Sequence, residues 1–277
     1  MVLYLIGLGL YNEKDVSVRG LELIKESDYI YMEYYTSILG VSKECLEKFY
    51  GKEIILADRE MVESEFEKEI LEKAKLKKVS LLVVGDPFSA TTHVDLYNRA
   101  LSDNVKVEVL NNASIINSCG ITGLSLYRFG EIISIPYFTE KWKPFSFYEK
   151  IKKNKDNELH TLLLLDIKVK EVSEENLIKG EMIYEPPRFM KISEALAQLE
   201  LCEENLKLNI IDKETKFFGL ARVGAPDQII ASGTLEELKK FDFGGPLHSL
   251  ILVSKMHSIE KEMYDYYSVN KKHVVIN

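Results

Sequence analysis

The sequence predicts an α/β protein of two lobes. Three features carry this expectation: an all-apolar opening run that ends in closely spaced glycines, strand-like runs that alternate with segments of helical period, and a restart of the pattern after residue 112 in a chain of 277 residues. That length is enough for two cores of ordinary size.

Val2-Leu3-Tyr4-Leu5-Ile6 is uniformly apolar, as a parallel strand covered on both faces must be, and it feeds the turn Gly7-Leu8-Gly9. Ser17 stands where it caps the next segment, in which Val18, Leu21 and Ile24 recur at helical spacing. Tyr29-Ile30-Tyr31-Met32 returns to strand composition and completes a β-α-β unit. From Val62 to Ala74, the residues Val62, Phe66, Ile70, Leu71 and Ala74 trace one helical face. Val79 to Val84 is another buried strand, closed by Gly85-Asp86-Pro87; a helix through Asp95-Leu96-Tyr97 and an edge-like strand, Val105 to Val109, follow.

The turn-forming cluster Asn111-Asn112-Ala113-Ser114 sets the domain boundary, with an N-terminal α/β domain over 1–112 and a C-terminal one over 113–277. In the second half the strands are Thr161 to Leu165, Phe217 to Val223 and Ser249 to Val253. Helices are expected over Ile192–Leu206, after the Pro186-Pro187 break, and over Thr234–Lys240, opened by a Thr234-to-Glu237 capping box. There is no internal repeat and no low-complexity segment.

Thirty-six basic against forty-four acidic residues leave a net charge of −8, which disfavours general binding to nucleic acid. The densest basic stretch, Lys150 to Lys155, reads as a solvated helix end. Cys45, Cys119 and Cys202 lack the spacing of a disulfide framework or zinc site and fit a reducing compartment. The N-terminus lacks the basic leader of a signal peptide, and no apolar run approaches the roughly 18 residues of a membrane span. The expected location is cytoplasmic.

Gly7-Leu8-Gly9 invites the dinucleotide fingerprint, and Glu33 beyond the second strand stands where an acid would hold a ribose. The third glycine is missing, however, because position 12 is Asn12. The other reading is a tight strand-to-helix turn. Asp86 ends a buried strand, where α/β sheets form ligand crevices; it either binds a ligand cation or hydroxyl, or caps the turn that Pro87 pre-sets. His93, His160, His248, His257 and His273 are scattered without metal-pair spacing, so no metal is assigned. His248, at a strand boundary, is either structural or a ligand contact. Serine-hydrolase, phosphate-loop and kinase signatures are absent.

Beyond these readings the chain closely resembles the diphthine synthases from Leu3 to Val253. The resemblance rests on Leu3 to Leu10, Glu33 with Tyr35-Thr36-Ser37, Ala57-Asp58-Arg59-Glu60, Val83 to Phe88, and Ala90-Thr91-Thr92-His93. It continues through Asn112 to Ile115, His160-Thr161-Leu162, Leu165 to Glu171, Tyr184-Glu185-Pro186-Pro187-Arg188, Gly219 to Gly224, and Pro246 to Leu250.

The resemblance implies two α/β lobes of the tetrapyrrole-methylase type, with S-adenosyl-L-methionine in a cleft between them. By position, the family's cofactor contacts fall on Leu10, Asp86, Ser89, Ser114, Ile115, Leu165, Val223 and His248; Ser89 departs from the glycine of many relatives. It further implies a cytoplasmic homodimer that methylates the 3-amino-3-carboxypropyl group of a modified histidine in elongation factor 2. Eukaryotic members continue to diphthine methyl ester in four transfers, whereas archaeal members stop at three. The Tyr184-to-Arg188 and Leu165-to-Glu171 runs resemble the eukaryotic form. No residue declares itself as a catalytic base. The rival readings are a methylase of the same fold acting on a tetrapyrrole or ribosomal RNA, and a catalytically silent cofactor sensor or scaffold for elongation factor 2.

Overall fold

The computed structural model describes residues 1–170 and 183–271. Contacts group the chain into two compact units. The first comprises Met1–Ile116 and the described parts of 169–187; the second comprises Asn117–Lys168 and the chain from Arg188 onward.

The first unit is built on a five-stranded parallel sheet of β1 (Val2–Gly7), β2 (Tyr29–Glu33), β3 (Ile55–Ala57), β4 (Lys78–Val83) and β5 (Lys106–Leu110), in the order β3-β2-β4-β1-β5. Every residue of β1 is buried because successive side chains feed opposite faces. Leu3 and Leu5 pack with Tyr31, Val79 and Leu96 on one face, while Val2, Tyr4 and Ile6 pack with Ile24, Leu46 and Leu82 on the other. The first helix, Val18–Glu26, is capped by Ser17, whose hydroxyl accepts from the Gly20 amide at 3.0 Å.

The face traced by Val62, Phe66, Ile70, Leu71 and Ala74 is fully buried. It is not a plain α-helix, since Glu60–Ser64 and Glu67–Leu71 are π-helical turns that lead into α-helix Glu72–Leu76. Arg99 explains how the wider turns are held. Its guanidinium lies over the Phe66 ring and donates to the carbonyls of Val62 and Glu63 at 3.4 and 3.1 Å. A tertiary partner thus satisfies backbone groups at the point where the regular ladder shifts.

In the second unit, β6 (Ile133–Ile135), β7 (Thr161–Leu165), β10 (Lys216–Ala221), β11 (Ile229–Thr234) and β12 (His248–Leu252) form a sheet in the order β11-β10-β12-β7-β6. It is antiparallel except for the β6–β7 pair. A separate two-stranded ribbon joins β8 (Ile167–Lys168) to β9 (Arg188–Phe189). The expected helix is present at Ile192–Leu206, and the Thr234–Glu237 capping box opens Leu235–Lys240. The basic stretch lies in helix Ser146–Asp156 and is tied down locally: Lys152 pairs with Asp156 and Lys155 donates to the carbonyls of Asn209 and Ile210. Among the described residues no helix is long and apolar enough to cross a membrane.

Candidate functional site

The C-terminal edge of the first unit's sheet brings together the loops after β1, β4 and β5. Gly9 and Gly85 exchange backbone hydrogen bonds of 3.1 and 2.8 Å, clamping the first two loops to each other. Both glycines have positive φ. A side chain at Gly7 would bring its Cβ to 2.6 Å from the Gly85 carbonyl oxygen and 2.8 Å from the Asn112 Cβ, so only glycine permits this approach. The Asn112 amide stitches the third loop in by donating to the carbonyls of Gly7 and Asp15 at 2.9 and 3.0 Å.

Asp86 is the centre of this knot. One carboxylate oxygen accepts from the Phe88 amide and the Ser89 hydroxyl at 2.9 and 3.0 Å; the other accepts from the Asn111 side chain and the Asn112 amide at 2.9 and 3.0 Å. Burial alone would raise its pKa, but these four bonds outweigh it and hold the carboxyl below its ordinary range. The turn-capping reading of Asp86 is therefore correct as far as it goes. The acid also spans loops 25 residues apart and places an ionised group at the sheet edge. Asn111 and Asn112, read from the sequence only as turn formers, are its partners.

Leu10, Ser89 and Ile115 are half-buried at the same edge, and Ser114 is buried, its hydroxyl accepting from the Ile116 amide at 3.2 Å. The dinucleotide alternative finds no support, because the chain turns at Asn12–Asp15 and the helix begins only at Val18, leaving no helix N-terminus at the glycine turn. Glu33 is fully buried and folded onto its own loop, accepting from the Thr36 hydroxyl at 2.6 Å and the Thr36 amide at 3.2 Å.

In the second unit, Leu165, Val223 and His248 also share one sheet edge. The antiparallel registers Ala221↔His248 and Ser249↔Leu164 set the end of β10 and the start of β12 beside the end of β7. His248 Nδ1 accepts from the Ile192 amide at 3.4 Å, and Nε2 faces the Gly245 carbonyl at 3.0 Å, which fits a neutral ring protonated at Nε2. Burial, reinforced by the charges of Arg222 and Lys191, pushes its pKa down. Two of the other described histidines make structural contacts: His160 Nδ1 accepts from the Ser254 amide at 3.0 Å, and His257 caps helix Ser258–Tyr266. His273 and Glu171 lie outside the described residues.

Arg222, which the sequence shows only as part of the Gly219-to-Gly224 run, holds two turns together. It adopts the left-handed conformation at φ 51°, and its guanidinium donates to the Phe243 carbonyl at 2.8 Å, the Gly245 carbonyl, and Asp227 at 2.7 Å. Its amide donates to the Leu247 carbonyl at 2.9 Å. The side chain thereby fixes the loop that carries His248 and the turn that carries Val223. Arg222→Ala is expected to lower stability by about 2–3 kcal/mol, the scale of lost hydrogen bonds from a charged donor. Urea unfolding measures it, and an unchanged midpoint would show that the guanidinium does not hold these turns.

Residues 2–239 match the family model of the tetrapyrrole (corrin/porphyrin) methylases. The chain is 54% identical over 273 residues to the diphthine methyl ester synthase of Dictyostelium discoideum, covering 98% of this chain and all of that protein. It is 50% identical over 273 residues to the Homo sapiens diphthine methyl ester synthase, covering 97% of this chain and 95% of the relative. A crystal structure of a diphthine synthase superposes with a TM-score of 0.82 at 35% identity, covering 97% of this chain and 96% of the other. With glycine-clamped loops at one sheet edge and family-wide likeness along the whole chain, this protein belongs to the tetrapyrrole methylases and, within them, to the diphthine methyl ester synthases, the methyltransferases of diphthamide biosynthesis.

Proposed function

We propose that the protein uses S-adenosyl-L-methionine to methylate the 3-amino-3-carboxypropyl-histidine of elongation factor 2 four times, giving diphthine methyl ester and S-adenosyl-L-homocysteine. The observation that carries this reading is the identity of about 50% with diphthine methyl ester synthases over nearly the full length of both chains. The net charge of −8 favours a protein acceptor over an RNA one.

The residues present fit the cofactor. Leu10, Ser89, Ser114 and Ile115 offer backbone groups, hydroxyls and apolar surface, and the second unit offers Leu165, Val223 and a neutral His248. Asp86, whose lone pairs are taken by its four donors, acts by holding the loops and by setting a negative charge near a cationic ligand. When bound, the cofactor supplies an already electrophilic methyl group. The protein then has to align the acceptor and exclude water, for which no metal or covalent nucleophile is needed. The acceptor ammonium gives its proton to solvent water before attack, and a backbone carbonyl can only orient the resulting amine by accepting a hydrogen bond from it.

The same reading makes the enzyme a cytoplasmic homodimer. Cys45, Cys119 and Cys202 lack the spacing of a disulfide framework, which suits a reducing compartment. The exposed Leu126, Tyr127 and Ile259 of the second unit provide apolar surface for self-association. In intact-peptide mass spectrometry of elongation factor 2 through a time course, four methyl increments are expected, the last forming slowly and alone being removed by mild alkali. An end point of three alkali-resistant increments would identify the shorter reaction.

A further inference from the structure

The cofactor assignment occupies three of the five strand ends at the first unit's sheet edge, the loops after β5, β1 and β4. The remaining two, after β2 and β3, carry Tyr35 and Arg59, to which nothing above gives a role. Adjacent strands are about 4.8 Å apart, so the ends of β2 and β3 lie roughly 5 and 10 Å along the edge from that of β4.

Arg59 stands two residues beyond the end of β3. Its guanidinium carbon lies 5.3 Å from the centroid of the Tyr35 ring, on the loop after β2. Its ion pair is to Glu63, long at 3.8 Å, and its side chain is 57% exposed. Tyr35 is 4% exposed and its phenol oxygen has no hydrogen-bond partner. Next in the chain, Asp58 accepts from the Met61 amide at 2.9 Å and pairs with Lys170, whose ammonium lies 5.1 Å from the centroid of Tyr184. Two cations, each beside an aromatic ring, thus stand at the strand end nearest the unassigned part of the edge.

We infer that Arg59, supported by the Asp58–Lys170 pair, is the carboxylate-binding subsite for the acceptor. It recognises an amino-acid-like group in which a carboxylate stands beside a cationic nitrogen. A planar guanidinium beside a ring grips a carboxylate with two parallel hydrogen bonds at little entropic cost. This inference rests on the proposed function. It also accounts for the order of transfer: methylation at nitrogen leaves the carboxylate intact, so the acceptor stays anchored, whereas ester formation removes the negative charge that the subsite holds.

The test compares wild type with Arg59→Ala and Arg59→Lys in steady-state methylation of modified elongation factor 2 at saturating cofactor. Binding of S-adenosyl-L-homocysteine is measured in parallel by calorimetry. Arg59→Ala is expected to raise KM for the acceptor about tenfold or more, with kcat for the nitrogen transfers within about threefold and homocysteine-product affinity unchanged; Arg59→Lys restores part of the loss. With a peptide acceptor whose carboxylate is replaced by a carboxamide, wild type loses its advantage and the alanine variant does not discriminate. An active wild type whose acceptor KM is unaltered by Arg59→Ala overturns the subsite alone, whereas a wild type inactive on the factor overturns the proposed function as well.

Discussion

Replacing Asp86 with alanine is expected to weaken binding of S-adenosyl-L-homocysteine about a hundredfold, or roughly 2.7 kcal/mol. The substitution leaves the amides of Phe88 and Asn112, the Ser89 hydroxyl and the Asn111 side chain without their common acceptor. Buried donors without partners cost about 1–3 kcal/mol each, and the loops relieve that cost by opening to water. Binding then bears the cost of re-closing them, which lowers apparent affinity by the fraction of molecules still closed. Asp86→Asn retains one acceptor oxygen and turns an amide towards two of the donors, so an intermediate loss of about tenfold is expected. The folded-state pKa is depressed, so the carboxylate's contribution is fully present above the ordinary value of 3.8 and is lost only as pH falls through the lower folded value. Calorimetry at any pH from about 5 to 8 therefore reads the carboxylate and not its titration. Unchanged affinity in a folded Asp86→Ala protein would confine Asp86 to capping its own turn.

A marked contribution to acid sensitivity is expected from His93. Its side chain is 1% exposed and neither ring nitrogen completes a hydrogen bond, although the Pro87 carbonyl faces the ring. Burial consequently pushes the imidazole down from 6.5 to about 4. Between those values the unfolded chain binds a proton that the folded one excludes. Stability is thus full above 6.5, falls as pH drops towards 4, and levels below it, by about 3 kcal/mol in all. His93→Phe removes both orphaned nitrogens and should flatten the dependence by about one proton, with stability near pH 7 at least preserved. Urea midpoints at pH 7 and pH 4.5 provide the comparison. Equal losses in wild type and variant would mean that water reaches the ring.

What was legible from the chain was whatever depends on near neighbours. The uniformly apolar Val2–Ile6 run became the strand next to the sheet centre because burial on two faces leaves no position for a polar residue. Ser17 and the Thr234–Glu237 pair mark helix starts because a cap acts within three residues. The three-residue strands β3 and β6 escaped notice, being too short to show a period. The strand expected at Val105–Val109 lies at Lys106–Leu110, a slip of one position that pairing with β1 decides. The π-turns before Glu72 were equally hidden, since the arginine that supports them lies in another helix.

The sequence by itself determined the α/β class, the parallel first sheet and, through the long resemblance, the family, and it supplied the positions at which cofactor contacts are proposed. Only the tertiary structure decided what those side chains touch. Asp86 reads locally as a turn former because two of its four donors, Asn111 and Asn112, belong to a strand end two places along the sheet; parallel pairing of β4, β1 and β5 brings them within 3.0 Å. His248 reads as a lone histidine until the antiparallel register sets it beside Ala221 and Arg222 pins its loop. Arg59 reads as a surface charge until β3 and β2 align and the Tyr35 ring meets its guanidinium. In each case the partner is remote in sequence, and the interaction is a directional contact between single side chains. Periodicity and composition report burial of whole elements and carry no information about such pairs.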